Sequence, residues 1–179
     1  MVVTASIVAT GCLVTEQTFE KSLLYVGVAT IASLLPDIDE PNSIIGKKLP
    51  FLSKIIGLGG HRNFTHTIWI PLVLLLLWLF APSFIQPVIM AIFLGYTLHL
   101  IEDSFSLRGI LWLYPLTSWE INKTTGRPYK KGHHLYAMYY RTGSTKEKII
   151  RSVAMVVLII VGAIIIKNGV ASLYYTYIA

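Results

Sequence analysis

Residues 67–101 read TIWIPLVLLLLWLFAPSFIQPVIMAIFLGYTLHLI and contain no Asp, Glu, Lys or Arg. Pro82 and Ser83 divide this stretch into two apolar runs, Thr67–Ala81 and Ile85–Ile101, because proline interrupts a helix. Each run is slightly shorter than the roughly 20 residues that cross a hydrocarbon core of about 30 Å, and flanking aromatic and aliphatic residues extend both. The stretch therefore predicts two membrane-spanning helices joined by a tight turn.

Three further apolar runs lie outside this stretch: Val2–Val14, Ser22–Leu35 and Ser152–Ile166. The first two are short and are separated by polar residues, so they form either two tight spans or one span preceded by a half-inserted helix. We favour two spans. The sequence thus predicts an all-α, polytopic membrane bundle of four or five spans. Residues 1–179 would form a single domain with a motif core at 34–115, an interfacial loop at 104–148, and a C-terminal span and tail at 149–179.

The composition agrees with a membrane protein. Of the 179 residues, 54% are hydrophobic and 13% are charged, whereas soluble domains average about 25% charged residues. One cysteine is too few for a disulfide scaffold, and the hydrophobicity excludes intrinsic disorder. The net charge of +6 accompanies long apolar runs, which favours an anionic membrane surface as partner and makes nucleic acid an unsuitable one.

Two long polar connections, Pro36–His66 and Glu102–Lys148, are separated by an even number of predicted spans, so both lie on the same side of the membrane. They hold, or directly adjoin, 13 of the 15 Lys and Arg residues, which leaves Lys21 and Lys167 on the opposite side. The positive-inside rule then places both loops in the cytoplasm. We therefore expect a multi-pass protein of the cytoplasmic (inner) membrane.

The first polar cluster is LLPDIDEPNS, residues 34–43. Pro36 favours a turn at the end of the second run. Two carboxylates on such a turn, Asp37 and Asp39, can converge on a cation. The alternative is that they are solvated loop acids or helix caps.

The second cluster is GHRNFTH, residues 60–66, directly before the third run. His61 and His66 are candidate metal ligands, and Arg62 is a candidate clamp for a phosphate or carboxylate. Alternatively, these side chains face lipid headgroups, and Thr65 is a helix N-cap.

The third cluster is GYTLHLIED, residues 95–103, at the end of the fourth run. His99 and Asp103 are four residues apart, so they project from one face of a helix and can reach one metal ion. Ionisable groups in a membrane helix are costly and usually face a cavity or a partner. The alternatives are a structural His99–Asp103 pair and, for Glu102, exposure at the interface.

The predicted topology brings all three clusters to one membrane face. The predicted metal ligands are Asp37, Asp39, His61, His66, His99 and Asp103. This mixture of imidazole and carboxylate suits zinc, with manganese or iron as alternatives. The sequence therefore predicts a metal-dependent hydrolase that uses activated water. Its predicted catalytic residues are Asp37, Asp39, His99, Asp103 and Arg62, and one carboxylate can serve as the general base instead of a ligand.

Residues 22–115 resemble the YdjM-type family of membrane-bound, metal-dependent hydrolases. The resemblance lies in LPDID at 35–39, HRNFTH at 61–66 and GYTLHLIED at 95–103. It implies that the same six residues form the metal site. A distant similarity of that family to zinc-dependent phospholipase C implies a phosphoester substrate. The lipid-type phosphoester and the membrane lipids are accordingly the expected partners.

One feature departs from the family pattern. Family members commonly carry a Thr-His pair in the first helix, where this chain has Val3-Thr4-Ala5-Ser6. His133 and His134 are the available replacements, although a solvated basic loop explains them equally. The absent histidine keeps a second interpretation open, in which the protein is a non-catalytic, degenerate or structural, metal-binding membrane protein.

Overall fold

The computed structural model describes residues 1–57, 64–106, 110–116, 120–121, 128–129 and 143–177. These residues form seven α-helices: α1 Val2–Val14, α2 Phe19–Ala32, α3 Ile44–Lys48, α4 Pro50–Gly57, α5 Trp69–Phe80, α6 Gln86–Ser104 and α7 Thr145–Tyr177. A 3-10 helix, Leu35–Asp39, follows α2. Two short strands, β1 Glu120–Ile121 and β2 Pro128–Tyr129, pair antiparallel with Glu120 opposite Tyr129. Apart from this small ribbon, the described residues confirm an all-helical fold.

Two segments, Phe19–Asp39 and Thr145–Ala171, are long and apolar enough to cross a membrane. Helices α1 and α5 are apolar but shorter. Several helices expose large apolar side chains at the surface of the bundle. Phe80 of α5 is 85% exposed, and Ile159 of α7 is 63% exposed. A bilayer accommodates such helical surfaces, since all their backbone groups are bonded internally. The described part of the chain therefore has two candidate spans, and the count of four or five stays a prediction.

Helices α2 and α6 pack closely along the centre of the bundle. A Cβ atom added at Gly95 of α6 would lie 2.2 Å from the carbonyl oxygen of Ala29 in α2. The two backbones therefore touch, which small residues permit in membrane helices. Val8 and Cys12 of α1 complete this core together with Ala29 and Ala91.

The helices place the polar clusters at one end of the bundle. Thr4, near the start of α1, donates a hydrogen bond to Glu102, near the end of α6. Arg151, near the start of α7, lines a cavity together with Glu102. At the opposite end, Leu13, Glu20 and Gly169 line a separate cavity. The ends of α2 and α6 and the starts of α1, α5 and α7 therefore lie together, and we call this the polar end.

The connection between α2 and α5 is more ordered than its polar sequence predicts, because it contains the 3-10 helix, α3 and α4. The Ser43 hydroxyl caps α3 by accepting from the Gly46 N–H, and it donates to the carbonyl of Asp37 at 2.8 Å. Added Cβ atoms at Gly46 and Gly57 would lie 2.1 and 2.9 Å from the carbonyl oxygens of Glu40 and Asp39. Helices α3 and α4 thus press directly against the turn that carries the two aspartates.

Candidate metal centre

The 3-10 helix presents two carboxylates with different environments. Pro36 stands in its first turn, which confirms the predicted turn at this position. The side chain of Asp39 is 1% exposed, whereas that of Asp37 is 34% exposed. Asp39 therefore points into the protein, and Asp37 remains accessible to solvent.

His66 lies in the segment before α5 and is fully buried. This segment is held from two sides, since the Tyr96 hydroxyl donates to the Thr65 carbonyl and the Ile68 N–H donates to the Trp112 carbonyl. Helix α5 begins only at Trp69, with Ile68 as its N-cap. The interpretation of Thr65 as a helix N-cap is therefore wrong, because its side chain bonds elsewhere.

Four side-chain atoms from three parts of the chain lie close together: two histidine nitrogens and two aspartate oxygens. His66 Nε2 lies 3.8 Å from Asp37 Oδ1 and 3.5 Å from Asp103 Oδ2. His99 Nε2 lies 3.7 Å from the same Asp37 oxygen and 3.9 Å from the same Asp103 oxygen. The four atoms form a closed ring in which nitrogen and oxygen alternate. Of these residues, Asp37, His66 and His99 offer ligand atoms that all lie within 4.8 Å of one another.

The size of this ring suits a small divalent cation. Four nitrogen and oxygen ligands at 2.0–2.2 Å around a tetrahedral zinc ion lie roughly 3.3–3.6 Å from one another. The four edges of the ring, at 3.5–3.9 Å, are only slightly longer, and the set whose ligand atoms all lie within 4.8 Å of one another is Asp37, His66 and His99. His99 Nε2 is buried and has no hydrogen-bond partner among the described residues. A buried imidazole nitrogen without a hydrogen bond, beside two carboxylate oxygens, is what a cation site requires.

A hydrogen-bond chain behind His66 determines which ring nitrogen carries the proton. The Thr65 hydroxyl donates to Asp39 Oδ2 at 2.6 Å, and its oxygen lies 2.9 Å from His66 Nδ1. A hydroxyl has one proton, and that proton is used on Asp39, so His66 Nδ1 must be the donor of the second bond. Neutral His66 then carries its lone pair on Nε2, inside the ring of four atoms. Asp39 and Thr65 therefore fix the orientation of the His66 ring and direct Nε2 toward Asp37 and Asp103.

Charge favours a cation at the same point. Burial lowers the pKa of His66, while the hydrogen bonds and charges of Asp103 and Asp39 raise it, and the result is a pKa above the ordinary histidine value. The carboxylates thus favour positive charge here, whether it is a proton on His66 or a metal ion. Metal binding and proton binding at His66 are consequently competitive.

A model of the YdjM inner membrane protein family matches residues 1–170 of the chain. The chain belongs to the YdjM family. The description of that family agrees with the two candidate spans, so the protein is an inner membrane protein.

Curated relatives are similar over about half of this YdjM-family chain. YvsG of Bacillus subtilis (strain 168) is 33% identical over 98 residues, which cover 53% of the chain and 59% of YvsG. The inner membrane protein YdjM of Escherichia coli (strain K12) is 37% identical over 96 residues, which cover 49% of the chain and 47% of that relative. The chain thus spans only about half the length of the curated relatives it matches. No solved structure matches it.

The structure assigns different places to the predicted site residues of this YdjM-family member. Asp37, His66, His99 and Asp103 contribute the four converging atoms, whereas Asp39 stands behind His66. His61 and Arg62, together with His133 and His134, lie outside the described residues. Sequence reasoning missed the roles of Thr65 and Tyr96. Both lie within the quoted motifs, and for Thr65 the signal was a hydroxyl directly before the candidate ligand His66.

The stretch Val3-Thr4-Ala5-Ser6, where this chain departs from the family pattern, lies at the polar end of α1. Ala5 is buried in α1, next to Thr4, whose hydroxyl lies 3.4 Å from Glu102 Oε1. Glu102 thus faces α1, while the neighbouring Asp103 faces the ring of four atoms. Ala5, the position at which the resemblance leads us to expect histidine, is therefore on a helix that packs against the end of α6.

Proposed function

We propose that this protein is a membrane-bound, metal-dependent hydrolase that cleaves a lipid-type phosphoester at the cytoplasmic membrane surface. The observation that carries the proposal is the close approach of ligand atoms from Asp37, His66 and His99, all within 4.8 Å of one another. Asp103 Oδ2 lies 3.5 and 3.9 Å from the two histidine nitrogens. These four residues would hold the metal, for which their donor set favours zinc, with manganese or iron as alternatives. A divalent metal bound there supplies activated water and an electrophile for ester cleavage.

The chain's own residues would divide the remaining tasks. Asp39 and Thr65 keep the proton of His66 on Nδ1, so that Nε2 stays a ligand atom. Asp37 is the most solvent-accessible of the four converging residues, so substrate and water would approach from its side. Water would add to phosphorus while a carboxylate takes its proton, and as the bond from phosphorus to the leaving oxygen breaks, that proton would pass on to the leaving oxygen, which departs as an alcohol. Arg62 stays the predicted clamp for the phosphoester anion.

A neighbouring cavity supports an amphiphilic substrate. It measures about 620 Å³ and lies between α1, α6 and α7. Most of its lining side chains are apolar, among them Ile7, Leu98 and Ile150, and its polar edge includes Glu102. Glu102 is near the end of α6, so the cavity opens at the polar end, on the α1 side of α6 rather than on the side that carries the four converging atoms. An acyl chain in this cavity would place the headgroup of a lipid at the polar end.

The charge distribution supports the cytoplasmic side. Within the described residues, the polar end carries Lys47, Lys48, Lys54, Lys146, Lys148 and Arg151. Lys21 and Lys167 lie toward the other end. Basic residues are concentrated on the cytoplasmic side of membrane proteins, which favours a multi-pass arrangement with the candidate centre facing the cytoplasm.

The first experiment measures metal content by mass spectrometry on detergent-purified protein. We expect about one or two transition-metal ions per chain, lost in both His66→Ala and Asp103→Ala. Glu102→Gln is the matched control, since Glu102 is beside Asp103 in sequence but faces Thr4, and it should keep the metal. Unchanged metal content in both alanine variants would contradict the site.

The second measurement follows hydrolysis of phospholipids by the metal-loaded protein. Phosphate or phosphomonoester release that disappears in His66→Ala supports the hydrolase. Metal that binds stoichiometrically without turnover of any phospholipid would favour the second candidate function, a non-catalytic metal-binding membrane protein. The absent first-helix histidine is the specific observation behind that candidate.

A further inference from the structure

Helix α4 packs against the protein with the face that carries Ser53, Ile56 and Gly57, and turns three large apolar side chains outward. Ser53 is fully buried, and Gly57 lies against the Asp39 carbonyl. On the opposite side Phe51 is 77% exposed, and Leu52 and Ile55 are exposed as well. The usual amphipathic helix of a soluble protein buries its apolar stripe. In α4, by contrast, the large apolar side chains Phe51, Leu52 and Ile55 face outward.

Lysines flank this outward apolar face. Lys47 and Lys48 end α3, Lys54 lies on α4, and all three side chains are exposed. Residues 44–57 contain no Asp or Glu. A second copy of the chain would bring the same positive charge against this surface, whereas an anionic lipid surface complements it. Apolar residues beside lysines are typical of helices that lie in the membrane interface.

The position of α4 in the chain agrees with this environment. The candidate span Phe19–Asp39 ends where the 3-10 helix ends. Helices α3 and α4 follow within a few residues and are bound to that 3-10 helix through Ser43, Gly46 and Gly57. They therefore stay close to the level at which the span leaves the bilayer.

From these observations we infer that α3 and α4 form an interfacial anchor. The anchor inserts Phe51, Leu52 and Ile55 among the lipid chains of an anionic leaflet and places Lys47, Lys48 and Lys54 at its headgroups. The anchor fixes the depth of the turn that carries Asp37 and Asp39. It does not depend on metal binding or hydrolysis, and its test uses neither.

The test uses nitroxide labels on single cysteines in a Cys12→Ala background. Phe51→Cys and Ile55→Cys report on the outward face, and Lys54→Cys, on the same helix, is the matched control. The full-length protein is reconstituted into bilayers of phosphatidylcholine with or without phosphatidylglycerol. Accessibility to oxygen, which concentrates in lipid, is compared with accessibility to a water-soluble nickel chelate.

We expect the ratio of oxygen to nickel accessibility at positions 51 and 55 to exceed that at position 54 several-fold. Phosphatidylglycerol should increase the difference. Replacing Lys47, Lys48 and Lys54 by Gln, with the label at position 51, should abolish that increase. Because the labelled side chains are exposed, the substitutions leave the packed core unchanged.

Three results would overturn the anchor. One is equal nickel accessibility at all three positions in both lipids. Another is spin–spin broadening between labels at position 51, which would identify a second copy of the chain on this face. The third is protection of position 51 from both reagents, which would identify a protein partner.

Discussion

At the scale of single residues, Thr65 connects the two motifs that precede the candidate centre. Its hydroxyl donates to Asp39 and accepts from His66, so one side chain joins the 3-10 helix to the segment before α5. The Tyr96 hydroxyl holds the Thr65 carbonyl from α6. The orientation of His66 therefore depends on residues that are not ligands themselves.

We predict that Thr65→Val weakens metal binding by about 10- to 100-fold, the range observed when the partner of a metal-bound histidine is removed. Valine has nearly the shape of threonine but neither accepts from His66 nor donates to Asp39. Thr65→Ser keeps the hydroxyl and should bind metal as the unchanged protein does. Competition titration with a chromophoric chelator in detergent measures both affinities. Equal affinities for the valine and serine variants would contradict the role of Thr65.

The site was partly predictable from its residues. All four converging residues were among the six predicted ligands: His99 and Asp103 from their spacing on one helical turn, Asp37 from the turn after Pro36, and His66 as a histidine before the third run. Spacing alone did not distinguish a ligand from its orienting partner, because Asp39 differs from Asp37 only in the direction its side chain takes on the turn. The sequence did not predict that Thr65 orients His66, because a hydroxyl near the start of a helix is equally typical of a helix N-cap. Only the tertiary contact with Asp39 distinguishes the orienting role from the capping role.

At the scale of helices, the crossing of α2 and α6 positions the end of α6 and hence His99 and Asp103. Gly95 lies one turn before His99, at the point where the two backbones touch. Ala29, which it contacts, is fully buried. Dispersion contacts between the two backbones stabilise this close approach. An added methyl group would push the helices apart and weaken those contacts.

We predict that Gly95→Ala lowers the free energy of unfolding by about 1–3 kcal/mol, the cost of overpacking a close contact. The added Cβ atom would meet the Ala29 carbonyl oxygen at 2.2 Å, so the helices must move apart. Gly27→Ala on α2 is the control, because a Cβ atom there meets nothing within 4 Å. Alanine's higher helix propensity should leave that variant as stable as the original or slightly more so. Denaturant titration in detergent measures both, and equal stabilities would show that the crossing tolerates the methyl group.

The bounds of several helices agree closely with the apolar runs of the sequence. The run Val2–Val14 coincides with α1, and Pro82-Ser83 falls between α5 and α6 as predicted. Helix α7 extends well beyond Ser152–Ile166 at both ends, because the helix continues past Arg151 and Lys167, the charged residues that bound the apolar run. The sequence predicts a polar connection where the structure has α3 and α4. The lysines and the proline of this segment interrupt its apolar residues, and those apolar residues face away from the protein.

At the scale of the whole molecule, the helices separate two ends of different charge. Between Ile150 and Ile165 of α7 the helix rises by about 22 Å, and these residues line cavities at opposite ends. The polar end carries the four converging residues and most of the described lysines. The other end carries Glu16, Glu20 and Lys21. This asymmetry, rather than any single span, determines the expected orientation in the membrane.

We predict that the polar end faces the cytoplasm and that the turn between α1 and α2 faces outward. In a Cys12→Ala background, Glu20→Cys should react with a membrane-impermeant maleimide in intact spheroplasts, and Asn42→Cys should react only after permeabilisation. Both positions are exposed, and neither substitution removes a lysine or arginine, on which orientation depends more strongly than on acidic residues. Reaction of Asn42→Cys in intact spheroplasts, with Glu20→Cys shielded, would invert the topology and place the candidate centre on the outer face. Reaction of both would mean that α2 does not cross the bilayer, since these two residues flank it.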